Sequence, residues 1–133
     1  KICKELGLEP MIWSDMYLRM VSEHNEYYDI PLDADLSGAV KPPKGVTLVY
    51  WDYYHEDEEF YKEYLRMHRQ LSEQVIFAGG GWVWNGVSPN LELAKNTTEP
   101  AMKACKKRAC ARLSARCGRI TARKHRCCQG FLL

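Results

Sequence analysis

Tryptophan, acidic and amide side chains recur together at three separate places in this chain. They follow three apolar segments, as Trp13-Ser14-Asp15, Trp51-Asp52-Tyr53-Tyr54-His55 and Trp82-Val83-Trp84-Asn85, and these groups hold all four tryptophans. Flat indole faces beside carboxylates suit a sugar ring, which offers apolar C–H faces and hydroxyl edges. The pattern therefore predicts a carbohydrate site that includes Trp13, Asp15, Trp51, Asp52, Tyr53, Tyr54, His55, Trp82, Trp84 and Asn85.

Each of these residues also has a structural interpretation. A single tryptophan at the end of a strand commonly packs in a core, although three successive examples favour a pocket. An acid after a strand is a common helix cap, so Asp15 and Asp52 could either accept sugar hydroxyls or cap a helix. His55 could likewise bond a hydroxyl or cap the following helix. His24 and His68 fall at predicted helical positions and are interpreted as structural.

The segments around these groups alternate between strand and helix patterns. β-Branched and aromatic runs predict strands, and apolar residues three or four apart predict helices, with Thr98 as a cap. Parallel strands with right-handed crossovers follow from this alternation, and chemistry sits at their carboxyl ends. Gly79-Gly80-Gly81 fits no phosphate motif and should let the backbone pass beneath bulky neighbours. The predicted strands are 8–14, 46–51 and 75–78, and the predicted helices are 16–28, 57–74 and about 98–107, with a loop over 29–45.

Composition changes abruptly near residue 106. Residues 106–133 hold nine of the 19 Lys and Arg residues and no acid, which leaves ten bases against 17 acids, a balance of −7, over residues 1–105. This tail shows no helix or strand periodicity and is expected to be irregular. Its cysteine spacings lack a CxxC knuckle, which disfavours a zinc site. The sequence shows no leader that would direct it to an oxidising compartment. We therefore expect no disulfides and expect a cytoplasmic location. The cysteines near this end are Cys105, Cys110, Cys117, Cys127 and Cys128.

Several segments resemble the catalytic domain of family 20 glycoside hydrolases. They are PMIWSDMYLR, LVYWDYYH, IFAGGGWVWNG with SPN after it, and the helical text ending in AMKACKK. The likeness is to the bacterial β-N-acetylhexosaminidases of that family, and it covers about residues 1–108 with the strand-end motifs in the right order. It implies an α/β fold in which this part matches strands five, six and seven of a (β/α)8 TIM barrel.

The resemblance also implies a chemistry. The family removes terminal N-acetylglucosamine or N-acetylgalactosamine with retention, by a substrate-assisted route. An Asp-Glu pair after strand four does the central work, and a tryptophan cage holds the substrate acetamide. Trp13 and Trp51 match cage positions, and Trp82 or Trp84 lies on the strand-seven loop. The implied partner is an N-acetylhexosamine-containing glycan, with no cofactor, no specific nucleic acid and no membrane.

The sequence departs from that family in two ways. Strands one to four and the Asp-Glu pair have no counterpart, so no residue here is assigned a catalytic role and residues 1–105 are expected to be an inactive part of a barrel. In place of the expected eighth strand, with a motif like Trp-Gly-Asp-Asn-Gly-x-Glu, the chain has RACARLSARCGRITARKHRCCQGFLL. Codons for Ser114 to Lys124 can be chosen that, shifted by two bases, encode Cys-Ala-Met-Trp-Ala-Asp-Asn-Gly-Ala-Glu, so we hypothesise that residues 106–133 are frame-shifted.

A second interpretation comes from a different functional class. The chain could be a noncatalytic carbohydrate-binding or interaction module whose basic tail binds nucleic acid through phosphate contacts. Nothing in the tail predicts recognition of bases.

Overall fold

Strands and helices alternate along the chain and form a parallel sheet, which confirms the predicted α/β class. The computed structural model describes residues 2–84, 86–108 and 112–116. Within these residues four strands form one sheet in the order β1-β2-β3-β4, and each neighbouring pair is parallel. The strands are β1 (Met11–Trp13), β2 (Thr47–Trp51), β3 (Val75–Gly80) and β4 (Arg112–Arg116), and the helices are α1 (Ile2–Glu5), α2 (Asp15–Arg19), α3 (Glu58–Leu71) and α4 (Leu91–Arg108).

The main core lies between one face of the sheet and the helices α3 and α4. Side chains alternate across a strand, so every second residue of β2 and β3 faces this side. Right-handed crossovers between sequential parallel strands place the connecting helices on the same face. Each large apolar side chain buried here contributes about 1.5–3 kcal/mol. The strands supply Leu48, Tyr50, Val75 and Phe77, and the helices supply Tyr61, Tyr64, Leu65, Met67, Ala101 and Ala104, all buried.

The start and the end of the helix α3 are each set by a neighbouring polar residue. Asp57 precedes the first turn, and its carboxylate accepts hydrogen bonds from the backbone N–H groups of Glu59 and Phe60 at 3.2 and 3.3 Å. This satisfies two of the donors that a helix start leaves unpaired. The helix ends where Ser72 turns to an extended conformation, so it is three residues shorter at its carboxyl end than the predicted 57–74.

The predicted helix over residues 16–28 is wrong beyond its first turn. The helix α2 ends at Arg19, and Asn25 adopts a left-handed conformation with φ of 58°, which a right-handed helix excludes. Tyr27 is instead buried, and its hydroxyl lies 3.1 Å from Ser14 Oγ. A tertiary hydrogen bond and ring burial therefore replace the helix that the local spacing indicated. The same turn brings the next residues over the end of the sheet.

The last helix begins seven residues earlier than predicted. Asn90 caps α4, since its side-chain oxygen accepts from the backbone N–H of Leu93 at 3.0 Å, so Thr98 lies inside the helix and is not a cap. Pro100 also lies within α4, although an interior proline costs about 3 kcal/mol because it has no N–H group. The helix continues because the residues after Pro100 pack against the core. These buried residues are Ala101, Ala104 and Cys105.

The helix α4 ends at Arg108, close to its predicted end at about residue 107. The expectation of an irregular tail is wrong for residues 112–116, where β4 adds a strand in register with β3, with Leu113 opposite Phe77. In RLSAR, residues 112–116, polar and apolar types alternate with the period of a strand, and the high charge of the region obscured this short signal. Residues 117–133 lie outside the described residues. The frame-shift hypothesis stays a prediction about the coding nucleic acid.

The described sheet is open, with β1 at one edge. Trp13 and Val49 are in register, on the face opposite Tyr50 and the helices. Met11 and Trp13 on β1 are 61% and 48% exposed.

Among the described residues, no helix has both the length and the apolar character needed to cross a membrane.

Candidate functional site

Five aromatic rings gather at the carboxyl ends of β2 and β3. Trp51 ends β2, Tyr53 and Tyr54 follow it, and Trp82 and Trp84 follow β3. The ring centroids of Trp51 and Tyr53 are 5.5 Å apart, those of Tyr53 and Trp84 5.0 Å, and those of Trp82 and Trp84 5.2 Å. Tyr54 lies 5.8 Å from Trp82. We call these five residues the strand-end cluster. Its members come from two of the three groups singled out in the sequence.

Gly80, the last residue of β3, supports the cluster from below. A Cβ atom at this position would lie 2.6 Å from Cη2 of Trp84 and 2.7 Å from Cβ of Tyr53. Both distances are shorter than carbon atoms tolerate, so only a glycine lets these two rings rest against the strand. The close approach predicted for the glycine run is therefore confirmed at Gly80.

Trp82 is the most constrained member of the cluster. Its φ is 49°, a left-handed value that is rare for a bulky residue and has to be held by its surroundings. Its indole N–H donates to the carbonyl oxygen of Tyr53 at 2.9 Å, and its own carbonyl accepts from the N–H of Asn90 at 3.0 Å. Trp82 is 7% exposed, whereas Tyr54 is 52% exposed. Trp82 thus supports the cluster, and Tyr54 presents a surface to solvent.

Tyr28 completes the site and was missed in the sequence interpretation. Its ring lies 6.1 Å from Trp51, 6.4 Å from Tyr54 and 4.8 Å from His55, and its hydroxyl donates to the carbonyl oxygen of Trp51 at 3.0 Å. Burial raises the pKa of Tyr28 far above its usual value, so the phenol keeps its proton and stays a donor. The adjacent tyrosines Tyr27 and Tyr28 were the available signal, but they were assigned to a helix.

Asp52 is buried at the centre of the site and takes neither of the two roles predicted for it. Its carboxylate oxygens lie 2.9 Å from the hydroxyl of Tyr50, 3.0 Å from the backbone N–H of Tyr54 and 2.8 Å from Nδ1 of His55. Burial, and then the Asp52 charge, raises the pKa of Tyr50 far above its usual value, so Tyr50 is a donor here. With 1% exposure, Asp52 organises its neighbours and presents no free edge to a ligand.

His55 lies at the rim of the site beside the carboxylate. Its ring stacks on Phe60 with centroids 3.7 Å apart and an angle of 15° between the planes. The alternative role of helix cap is wrong for both His55 and Asp52, because Asp57 caps α3. The His55 side chain keeps 29% of its surface exposed, so the imidazole is accessible to a ligand.

The first group of the sequence pattern is not joined to the strand-end cluster. Trp13 is 48% exposed and makes no ring contact with any of the described residues. Asp15 is the first residue of α2, where a negative charge suits the helix dipole. Asn85, the last predicted member of the third group, lies outside the described residues.

Ser14 belongs to a buried polar network beneath the strand ends. Its hydroxyl lies 2.7 Å from Nε2 of His68, and Nδ1 of the same ring lies 2.6 Å from the carbonyl oxygen of Tyr64. Burial lowers the pKa of His68 to about 4, so at neutral pH the ring donates from Nδ1 and accepts at Nε2. His68 is fully buried, which confirms its structural assignment.

A separate groove lies at the other end of the sheet. Its volume is about 760 Å³, and residues 41–46 and 69–74 line it, before β2 and between α3 and β3. These segments meet at the amino ends of the strands, away from the strand-end cluster. In parallel α/β sheets, ligands bind at the carboxyl ends, so the cluster remains the candidate site.

Comparison with known proteins adds no independent assignment. No protein-family model matches the chain, and no curated protein matches it. Within the described residues, no group of three or more His, Cys, Asp or Glu side chains is arranged to hold a metal ion.

Proposed function

We propose that residues 1–108 form a sugar-binding segment of a family 20 glycoside hydrolase, and that the strand-end cluster binds the N-acetylhexosamine of a glycan. Its substrate is then a terminal N-acetylglucosamine or N-acetylgalactosamine residue. The barrel it would belong to hydrolyses this residue with retention, by the substrate-assisted route of the family.

The strand-end cluster is the observation that carries this proposal. Five aromatic residues meet at the carboxyl ends of two adjacent parallel strands, the end of the sheet at which such folds bind ligands. Exposed ring faces pack against the apolar C–H faces of a sugar, and an acetamide group adds a further apolar methyl. Tyr54 is half exposed, and Trp51, Tyr53 and Trp84 are partly exposed, so a ligand can reach these four rings, whereas Trp82 is buried.

The order of the strands supports the barrel assignment. All described strands are parallel and sequential, with α3 and α4 packed on one face. A doubly wound sheet reverses its strand order and carries helices on both faces. A (β/α)8 barrel keeps sequential order and carries its helices outside. The face that bears Trp13 would then line the barrel interior.

Binding without turnover is the activity proposed for the 133 residues themselves. The family resemblance assigns catalysis to an Asp-Glu pair after strand four, which has no counterpart in this sequence. Asp52 does not replace it, because three internal donors occupy its carboxylate. Measurable hydrolysis of a chromogenic N-acetylglucosaminide by the chain would contradict this part of the proposal.

The binding proposal can be tested by following indole N–H signals during a titration with N-acetylglucosamine. We expect the signals of Trp51, Trp82 and Trp84 to shift, and Trp84→Ala to weaken binding about tenfold, or about 1.4 kcal/mol. Val40→Ala is the control, because Val40 is 64% exposed and adjoins the groove at the other end of the sheet. Indole signals that do not respond would refute sugar binding at the cluster.

Titration with a second sugar, glucose, distinguishes a site for N-acetylhexosamine from a general carbohydrate-binding module. Glucose lacks the acetamide group, so an acetamide-binding site should prefer N-acetylglucosamine. Equal affinity for the two sugars would favour a general carbohydrate-binding module. Salt-dependent DNA binding that leaves the indole signals unchanged would favour an interaction module with a basic tail.

A further inference from the structure

Asp52 is surrounded by groups that donate to it. The backbone N–H of Tyr54 has a fixed direction, and the hydroxyl of Tyr50 keeps its proton because the residue is fully buried. A carboxylate accepts at both oxygens and has no hydrogen to give. The contact of 2.8 Å with Nδ1 of His55 is therefore a third bond that the carboxylate accepts. Such charge-assisted bonds are stronger than bonds between neutral groups.

The imidazole of His55 is fixed in orientation by this bond and by its neighbours. Phe60 stacks against one ring face at 3.7 Å, and Tyr28 packs against the ring at 4.8 Å in an edge arrangement. The side chain keeps 29% of its surface exposed.

The second ring nitrogen of His55, Nε2, is the atom of the imidazole that can bind a ligand. Every buried side-chain nitrogen and oxygen atom of the described residues has a hydrogen-bond partner. Nε2 of His55 makes no hydrogen bond with the described residues, so it reaches solvent. When Nδ1 carries the proton of a neutral imidazole, Nε2 holds a lone pair. A hydroxyl group is the ligand that such an acceptor suits.

We propose that Asp52 is a positioning residue that holds His55 with its proton on Nδ1, so that Nε2 accepts a hydrogen bond from a hydroxyl of the sugar. This inference rests on the proposed function, because the hydroxyl belongs to a sugar bound at the strand-end cluster. It assigns Asp52 an indirect role, and His55 the direct contact.

The tautomer can be measured without any ligand. Long-range 15N–1H correlation spectra of the 133-residue chain distinguish protonation at Nδ1 from protonation at Nε2. We expect His55 to carry its proton on Nδ1 in the wild type and to become a mixture of tautomers in Asp52→Asn. A proton on Nε2 in the wild type, or a pattern unchanged by Asp52→Asn, would overturn the positioning role.

The contact with sugar is measured by titration with N-acetylglucosamine. His55→Phe keeps an aromatic ring to stack on Phe60 but has no acceptor, so binding should weaken about tenfold, the effect of losing one hydrogen bond. His55→Gln offers an acceptor near Nε2 and should recover part of the affinity, while Val40→Ala should bind like the wild type.

The outcomes separate this inference from the function on which it rests. Shifts of both the indole signals and Nε2 of His55 would support both. Shifts of the indole signals alone, or wild-type affinity in His55→Phe, would overturn the contact and leave sugar binding at the cluster intact. If neither set of signals responds, both the contact and the proposed function fail.

Discussion

Adding a single methyl group at Gly80 should push apart the rings of the strand-end cluster. In Gly80→Ala the new carbon would meet Trp84 at 2.6 Å and Tyr53 at 2.7 and 2.8 Å. Trp84 is met at the far end of its ring and can move, but Tyr53 is met at Cβ and Cγ, so relief there requires a shift of the backbone. Overpacking of this kind costs about 1–3 kcal/mol, and the reduced freedom of the unfolded chain returns about 0.4–1 kcal/mol. We expect a net loss of about 1–2 kcal/mol.

The assay is urea unfolding followed by far-UV circular dichroism, with near-UV circular dichroism to report the packing of the tryptophans. For a chain of this length, the loss corresponds to a fall in Tm of roughly 3–5 °C per kcal/mol. Gly38→Ala is the matched control, because a Cβ there meets nothing within 4 Å, and it should leave the near-UV spectrum unchanged. The packing argument is refuted if the two variants are equally stable and have the same near-UV spectrum.

Three further predictions concern stability. Burial lowers the pKa of His68 from 6.5 to about 4. The neutral His68 ring therefore stabilises the folded state fully above pH 6.5, and the free energy of unfolding should fall by about 3 kcal/mol as the pH is lowered to 4. Trp82→Phe should cost about 1–3 kcal/mol in urea unfolding, because it leaves the carbonyl of Tyr53 without its donor, and Trp84→Phe should cost less. Asp57→Ala should cost about 1 kcal/mol and lower the helix signal in circular dichroism, since it removes the cap of α3.

Stability of His68→Gln that varies with pH as strongly as the wild type would exclude His68 as the titrating group. Equal stability of the two tryptophan variants would deny a role to the indole hydrogen bond. Glu56→Ala, at an exposed position before the cap, is the control for Asp57→Ala, and an equal loss in both would point to charge instead of capping.

Local patterns in the sequence were sufficient to predict the class of the fold and the end of the sheet at which the strand-end cluster lies. Strand and helix signals depend on near neighbours, so β2, β3 and α3 were found close to their observed bounds. The grouping of tryptophans after β2 and β3 was also visible, because in a parallel sheet sequential strand ends lie side by side. The start of α4 was predicted wrongly because Thr98 was interpreted as the cap and Pro100 as a first-turn residue, whereas Asn90 caps the helix.

Only the tertiary structure decided which of these side chains reach solvent. In the run from Trp51 to His55, adjacent residues differ in role because neighbouring elements occupy one side of the chain: Asp52 is turned inward by three donors, while Tyr54 stays half exposed. Tyr28 joined the site through a turn that no periodic pattern describes. By itself the sequence determined that the aromatic residues after β2 and β3 gather at the strand ends, but not that Tyr28 joins them or that Trp13 stays apart. Burial and long-range hydrogen bonds decided which of them can contact a ligand, because both depend on residues far apart in the chain.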